Sequence, residues 1–238
     1  MRPFEGRRIW FVGIGGAGLS GYAQLARAWG AEVGGWDRVE TPYLRALAGV
    51  EVRISPEPDV PDDWEAVVST AYAGRAPGRS RADFLAELVS LQGSIVVAGA
   101  HGKTTTAAMI ALVLQELGRR PAFLIGADVP QLGGNAGTGT GWLVVEGDES
   151  DRTIELLRPK IAVVTNVELD HHSEFASLAE VEDLFSGWLE HVPEAVLGPF
   201  APVDFELAVP GEHNRRNAAA ALAALAAAGI AGGDAIPV

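Results

Sequence analysis

The chain has no cysteine, no long apolar run and a minority of basic side chains. Without cysteine it has neither a disulfide framework nor a thiolate site, which fits a reducing compartment. No apolar run reaches the roughly 18 residues of a membrane span, so we expect a soluble cytoplasmic protein. Lysine and arginine total 18 against 31 acidic residues, and the net charge of −13 argues against broad binding to nucleic acids or anionic membranes.

The 238 residues, 48% of them hydrophobic, are enough for one large or two modest globular domains. Short apolar runs alternate with helical patterns, which predicts an α/β fold with mostly parallel sheets. The predicted strands lie near residues 8–12, 32–36, 50–54, 66–69, 94–98, 122–125, 142–145 and 161–164, and the predicted helices near 19–29, 42–47, 81–91, 103–117 and 214–228. We place a domain boundary at Gln92-Gly93, which divides the chain into residues 1–92 and 93–238.

A glycine-rich turn follows the first predicted strand. Gly13, Gly15 and Gly18 match the pattern G-x-G-x-x-G, and Asp37 ends the next strand, where a ribose-binding acid is expected. Taken alone, this arrangement favours NAD. Any nucleotide diphosphate, however, uses the same close backbone approach and helix N-terminus. We therefore predict a nucleotide site of open identity, with a ligand-free turn as the alternative.

A second glycine turn, Gly99-Ala-His-Gly102, separates a strand from a long alanine-rich helix. Lys103 and three threonines open that helix, so backbone N–H groups, the helix dipole and an ammonium surround one point. The hydroxyls can ligate Mg²⁺. Val97 stands where the strict Walker pattern has glycine. We predict a variant triphosphate-binding loop, and the alternative is a plain turn with an unrelated lysine.

Three further segments follow predicted strands or precede the last helix. The acidic segment 146–151 carries four carboxylates, whose mutual repulsion a divalent cation would relieve, although a solvated acidic turn is the alternative. His171 is either a metal ligand or a surface histidine. Asn214 is a good helix N-cap, and Asn217 one turn later lies on the same face, so the two amides could instead meet the edge of an adenine.

Taken together, five segments resemble the Mur ligase family, in the form of its alanine-adding branch. They occur in the family's order and cover nearly the whole chain. The segments are Gly13-Ile-Gly-Gly-Ala-Gly-Leu-Ser20, Gly99-Ala-His-Gly-Lys-Thr-Thr-Thr106, Glu146-Gly-Asp-Glu-Ser-Asp151, Thr165-Asn-Val-Glu-Leu-Asp-His171 and Pro210-Gly-Glu-His-Asn-Arg-Arg-Asn217.

The resemblance implies an N-terminal Rossmann-like domain that binds the UDP part of UDP-N-acetylmuramate, followed by a central P-loop-type ATPase domain. The implied substrate-binding residues are Gly13, Gly15, Gly16, Ala17, Gly18, Ser20 and Asp37. The implied ATP-binding residues are Gly99, Ala100, His101, Gly102, Lys103, Thr104, Thr105, His213, Asn214 and Asn217. Mg²⁺ would lie at Thr104, Glu146 and His171, and the implied catalytic residues are Lys103, Glu146 and His171.

The resemblance also implies the reaction, in which ATP activates the substrate carboxylate as an acyl phosphate and the amino group of L-alanine then forms an amide. Family members carry a third, C-terminal domain, and this chain ends soon after the helix that contains Asn217. We therefore expect a chain without that domain, either part of a longer ligase or a reduced relative. A nucleotide-binding regulatory module and a murein peptide recycling ligase are the alternatives. Nothing in the sequence indicates the oligomeric state.

Overall fold

A computed structural model describes residues 2–169 and 174–230 of the chain. The strands in these ranges are β1 (Arg8–Val12), β2 (Glu32–Asp37), β3 (Glu51–Ile54), β4 (Glu65–Val68), β5 (Arg79–Ser80), β6 (Ser94–Ala98), β7 (Ala122–Val129), β8 (Gly134–Gly137), β9 (Leu143–Glu146), β10 (Ile161–Val164) and β11 (Glu194–Leu197). The α-helices are α1 (Ala17–Ala28), α2 (Arg81–Leu91), α3 (Lys103–Glu116), α4 (Leu178–Leu189) and α5 (Glu212–Ala227).

The first sheet has the strand order β3-β2-β1-β4-β5, and all of its strand pairs are parallel. In a parallel sheet the carboxyl ends of the strands meet at one edge. The chain leaves β1 between β2 and β4, which is the point where the strand order reverses and a ligand crevice opens. The glycine turn after β1 and Asp37 at the end of β2 therefore come together at this edge.

The second sheet has the order β11-β10-β6-β9-β7-β8. Its pairs are parallel except for the β7–β8 pair at one edge. Strand β6 lies between β10 and β9, so the turn after β6 is flanked by the segments that follow those two strands. The predicted α/β architecture with mostly parallel sheets is confirmed.

Both faces of β6 are covered, as its continuous apolar sequence requires. Ile95 and Val97 pack with α3 and α5, whereas Val96 and Ala98 face the opposite cluster, which also contains residues of α1, α2 and α4. All of these side chains are fully buried. The first turn of α3 is thus held by a rigid strand buried on both sides.

Several predicted elements differ in extent or were missed. Residues 42–47 form a 3₁₀ helix, and β7 continues beyond residue 125 to Val129. Helix α4 was not predicted, although its buried residues Val181, Leu184, Phe185 and Trp188 follow helical spacing. Ser177 caps this helix by accepting the N–H of Glu180 at 3.3 Å. None of the helices in the described ranges combines the length and apolar character that crossing a bilayer requires.

Candidate active site

The turn between β6 and α3 depends on two glycines with positive φ. Gly102 caps α3 at φ 83°, and Gly99 has φ 127°. A Cβ at Gly99 would overlap Thr165 Oγ1 and lie 2.7 Å from the carbonyl oxygen of Asn166. The backbone of the turn can therefore lie against the segment after β10 only because residue 99 has no side chain.

Thr165 and Asn166 hold this turn in place. Both donate to the carbonyl oxygen of His101, from Thr165 Oγ1 at 2.6 Å and from Asn166 Nδ2 at 2.9 Å. In return, the His101 N–H donates to Asn166 Oδ1 at 3.0 Å. The imidazole of His101 itself is exposed. The turn thus has a defined conformation that is imposed by the neighbouring strand.

Lys103 lies at the mouth of the turn with its ammonium directed back to the loop. Its Nζ donates to the Gly99 carbonyl at 2.8 Å and to Glu149 Oε1 at 3.2 Å. Both side chains of this ion pair are largely buried. The ammonium of Lys103 therefore lies beside the turn, paired with a carboxylate of the acidic segment, and its role in phosphate binding stays a prediction.

Thr104 and Glu146 meet beside Lys103. Thr104 Oγ1 donates to Glu146 Oε1 at 2.8 Å, and the Gly126 N–H donates to Glu146 Oε2 at 2.6 Å. A hydroxyl and a carboxylate side by side are oxygen ligands of the kind that Mg²⁺ prefers. The donor set therefore fits magnesium.

His171, the third predicted metal ligand, lies outside the described residues. Within the described ranges, no group of three or more His, Cys, Asp or Glu side chains is arranged to hold a metal ion. The idea that the acidic segment is a cluster of uncompensated carboxylates is wrong. Asp148 Oδ1 accepts the Ser150 N–H and hydroxyl, and Asp151 pairs with Arg81, because successive side chains of the turn diverge towards separate donors.

A groove of about 930 Å³ is lined by the turn after β6 and by α5. Gly102 approaches Asn217 so closely that a Cβ would overlap Asn217 Oδ1. Asn217 Nδ2 donates to Asn214 Oδ1 at 3.4 Å, so the two amides share one face as expected. The predicted residues that line the groove are His101, Gly102, Thr105, His213, Asn214 and Asn217.

The predicted N-cap role of Asn214 is wrong. Helix α5 begins at Glu212 with Gly211 as its N-cap, two residues earlier than the pattern indicated. Asn214 Nδ2 instead donates to the Pro210 carbonyl at 2.9 Å. Asn214 lies inside the first turn of the helix, and there its side chain lines the groove.

The glycine turn after β1 borders a second groove, of about 360 Å³. Gly13, Gly15, Gly16 and Gly18 line it together with Asp37. Asp37 is 6% exposed, and its carboxylate accepts the N–H of Gly15 at 2.8 Å and that of Arg38 at 2.7 Å. In this arrangement Asp37 holds the turn as well as lining the groove.

Ser20 does not reach either groove. It is 1% exposed, and its hydroxyl donates to the Ala17 carbonyl within α1 at 3.0 Å. The resemblance implied Ser20 as part of the glycine-rich segment. Its side chain, however, points into the packed helix.

A central cavity of about 320 Å³ joins the two glycine turns. Ala17 and Gly18 line it from the first sheet's side, and Lys103 and Glu146 line it from the second. Sequence reasoning missed three residues here. They are Tyr22 and Arg81, which line the cavity, and Asn135, which lines it and donates to the Ala17 carbonyl at 3.1 Å.

No local pattern marks Tyr22, Arg81 or Asn135, because each reaches the cavity through the packing of distant segments. Burial raises the pKa of Tyr22 to about 12, an effect that the charge of Arg81 partly offsets and that of Asp151 reinforces. The Tyr22 hydroxyl therefore keeps its proton at neutral pH and can serve as a hydrogen-bond donor.

Two protein-family models match the chain. The model described as Mur ligase family, catalytic domain, matches residues 8–92, and that of the Mur ligase middle domain matches residues 97–197. Together they span most of the chain and both glycine turns.

Curated relatives are named UDP-N-acetylmuramate–L-alanine ligase. The one from Rubrobacter xylanophilus is 42% identical over 201 residues, which are 78% of this chain and 45% of the relative. The one from Aromatoleum aromaticum is 41% identical over 203 residues, or 79% of this chain and 43% of the relative. The chain therefore spans less than half the length of these relatives.

Two solved structures resemble the chain at a TM-score of 0.78 and 26% identity. One is the UDP-N-acetylmuramate-alanine ligase of Thermotoga maritima, where the match covers 93% of this chain and 65% of that one. The other is the UDP-N-acetylmuramate:L-alanyl-gamma-D-glutamyl-meso-diaminopimelate ligase of Neisseria meningitides, where it covers 94% of both.

Proposed function

The chain belongs to the Mur ligase family, and on that premise we propose that it forms the substrate- and ATP-binding part of a ligase. The reaction is the joining of L-alanine to the carboxylate of UDP-N-acetylmuramate in peptidoglycan precursor synthesis. The names of the curated relatives support this choice of substrates. We assign substrate binding to residues 1–92 and ATP binding to residues 93–238.

One observation carries the proposal, namely the central cavity that joins the two glycine turns. A substrate held by its nucleotide at Gly13–Gly18 can extend its other end towards Lys103 and Glu146, which line the same cavity. That is the geometry a carboxylate needs in order to meet the terminal phosphate of ATP. Bringing the two reactants together in this way supplies much of the acceleration of a phosphoryl transfer.

The residues of the second turn divide the binding of ATP between them. The Gly99–Gly102 turn and Lys103 hold the phosphates, while Thr105, His213, Asn214 and Asn217 lie along the groove for adenosine. Thr104 and Glu146 would hold Mg²⁺, and the ion would supply positive charge between the triphosphate and the substrate carboxylate, which otherwise repel each other. Lys103 must exchange Glu149 for phosphate oxygens when ATP binds.

The proposed reaction has two steps. A carboxylate oxygen attacks the γ-phosphorus of ATP, the bond to the bridging oxygen breaks, and ADP leaves an acyl phosphate behind. The amino group of L-alanine then attacks the acyl carbon, the phosphate departs with the bonding electrons, and the ammonium loses a proton to give the amide.

The proposal is tested by the binding of each substrate alone. We expect UDP-N-acetylmuramate and Mg-ATP, each at millimolar concentration, to raise the melting temperature separately, because a ligand that binds only the folded chain stabilises it. GTP and NAD serve as matched controls for the two sites. The absence of a shift with both substrates would overturn the proposal.

A second candidate is a ligase that attaches a peptide to the same sugar nucleotide. The structural likeness to the Neisseria enzyme, which acts on L-alanyl-gamma-D-glutamyl-meso-diaminopimelate, favours it. Phosphate release is compared with L-alanine and with this tripeptide as acceptors. Faster release with the tripeptide would favour the second candidate, and release with neither acceptor, despite binding of both nucleotides, would indicate a binding module.

A further inference from the structure

Arg81 lies where the groove of the first glycine turn meets the central cavity. It is the first residue of α2, and it lines both spaces. Among the described residues that line the groove it is the only cationic side chain, and the other charged one is Asp37. Since the Asp37 carboxylate faces backbone N–H groups, the charge available to a ligand here is that of Arg81.

Within the described ranges, the guanidinium of Arg81 uses only some of its N–H donors in hydrogen bonds. Its Nη2 donates to Asp151 Oδ2 at 3.0 Å. Its Nη1 lies 3.6 Å from the position of a Cβ at Gly18, within the first turn of α1. Its Nε is buried and has no hydrogen-bond partner within the described ranges. The side chain is 27% exposed, and arginine carries five N–H donors, so one ion pair leaves donors of the guanidinium open to a ligand.

We propose that Arg81 binds the diphosphate of the UDP-linked substrate and gives up Asp151 in order to do so. This inference rests on the proposed function. A diphosphate over the first turn of α1 offers several anionic oxygens to Nη1 and to the Nη2 that Asp151 releases, and arginine recognises phosphate with paired hydrogen bonds. Asp151, which follows β9 in the second half of the chain, competes for the same group.

Competition predicts effects of opposite sign for the two members of the ion pair. Arg81→Gln removes the charge and the fork of donors, so the Kd for UDP rises by about 10- to 100-fold. Asp151→Asn frees the guanidinium, so the Kd for UDP falls by about 2- to 5-fold. Uridine has no phosphate, and its Kd stays the same in both variants.

The experiment measures the Kd of UDP and of uridine by calorimetry for the unmodified chain and for both variants. Arg45→Gln is the matched control, because Arg45 is an exposed arginine of the same half of the chain and lines none of these spaces. If the Arg81–Asp151 pair only held the structure together, both variants would lower the melting temperature and weaken UDP and uridine alike. That outcome would overturn the inference.

Two further results separate this inference from the proposed function. Equal UDP affinity for the unmodified chain and Arg81→Gln would overturn the role of Arg81 and leave the proposed function standing. Failure of the unmodified chain to bind either UDP or UDP-N-acetylmuramate would overturn both. If Arg81→Gln does not fold, the Asp151→Asn variant tests the inference. Unchanged or weaker UDP binding by that variant would contradict competition between Asp151 and the diphosphate for Arg81.

Discussion

The two glycine turns of this chain have the same backbone setting and different side-chain surroundings. Each follows a strand near the middle of a parallel or mostly parallel sheet, β1 or β6, and each leads directly into a helix, α1 or α3. The first turn has no charged side chain of its own, and its cation, Arg81, comes from α2. The second carries Lys103 and Thr104 within the turn and the start of the helix.

This difference shows what the glycines do and what they leave open. On the proposed function, the missing side chains in both turns let a phosphate approach the backbone at a helix N-terminus. The two sites differ in the charged side chains that other segments place beside each turn. Asp37 and Arg81 surround the first turn, whereas Glu146 and Glu149 lie beside the second.

The largest expected effect is on phosphate release, and it comes from a change at Lys103 in the second turn only. Lys103→Ala should lower ATP-dependent phosphate release by about 100-fold or more, because one charge that stabilises the transferring phosphate is lost. Binding of UDP-N-acetylmuramate should not change. Lys160→Ala is the control, since Lys160 is exposed and is the other of the chain's two lysines. Normal turnover by the Lys103 variant would show that the ATP site is placed wrongly.

A metal-dependent effect is expected only at the second turn. Thr104→Val removes the hydroxyl beside Glu146, so the Mg²⁺ concentration needed for half-maximal ATP binding should rise by about 10-fold. Thr104→Ser keeps the hydroxyl and should behave like the unmodified chain. A variant with valine and an unchanged Mg²⁺ requirement would exclude this residue from the metal site.

The converse effect is expected at Gly15 in the first turn. A Cβ there would lie 2.8 Å from Asp37 Oδ2, so Gly15→Ala should displace the turn and weaken UDP binding by about 10-fold. Mg-ATP binding should stay the same. Gly187→Ala in α4 is the control, because nothing lies within 4 Å of its Cβ position. Equal loss at both nucleotide sites would mean that the turns are not independent.

The smallest effect concerns an ion-pair network remote from both turns. Burial acts to raise the pKa of Glu87, but hydrogen bonds from Arg7 and Arg79 outweigh it and hold that pKa below its usual range. The network therefore stabilises the fold fully above the pKa of Glu87 in the unfolded chain, and this contribution is lost as the pH falls through the lower, folded-state pKa.

Glu87→Gln should accordingly lower the melting temperature by about 2–4 °C at pH 7 and by less in acid. Calorimetry at several pH values measures this difference. Nucleotide binding at either turn should be unaffected at pH 7. A difference in melting temperature that grows as the pH falls would contradict the sign derived from the pKa.

Local signals in the sequence were enough to predict most of the fold. The strand at residues 94–98 and the helix that starts at Lys103 appear where hydrophobic spacing and glycine indicated them. The N-cap at Asn214 was predicted wrongly, because Gly211 with φ 112° starts α5 earlier. Helix α4 was missed although its spacing and its Ser177 cap were present in the sequence.

What the sequence by itself determined is the order of strands, glycine turns and helices along the chain, together with the residues that each turn presents. These depend on φ preferences and on hydrophobic periodicity over a few neighbouring residues. Only the tertiary structure decided which distant groups meet. Thr104 and Glu146 are 42 residues apart, Arg81 and Asp151 are 70 apart, and Ala17 and Asn135 are 118 apart. Their contacts depend on the order of strands in the two sheets and on how the sheets pack, which no local pattern encodes.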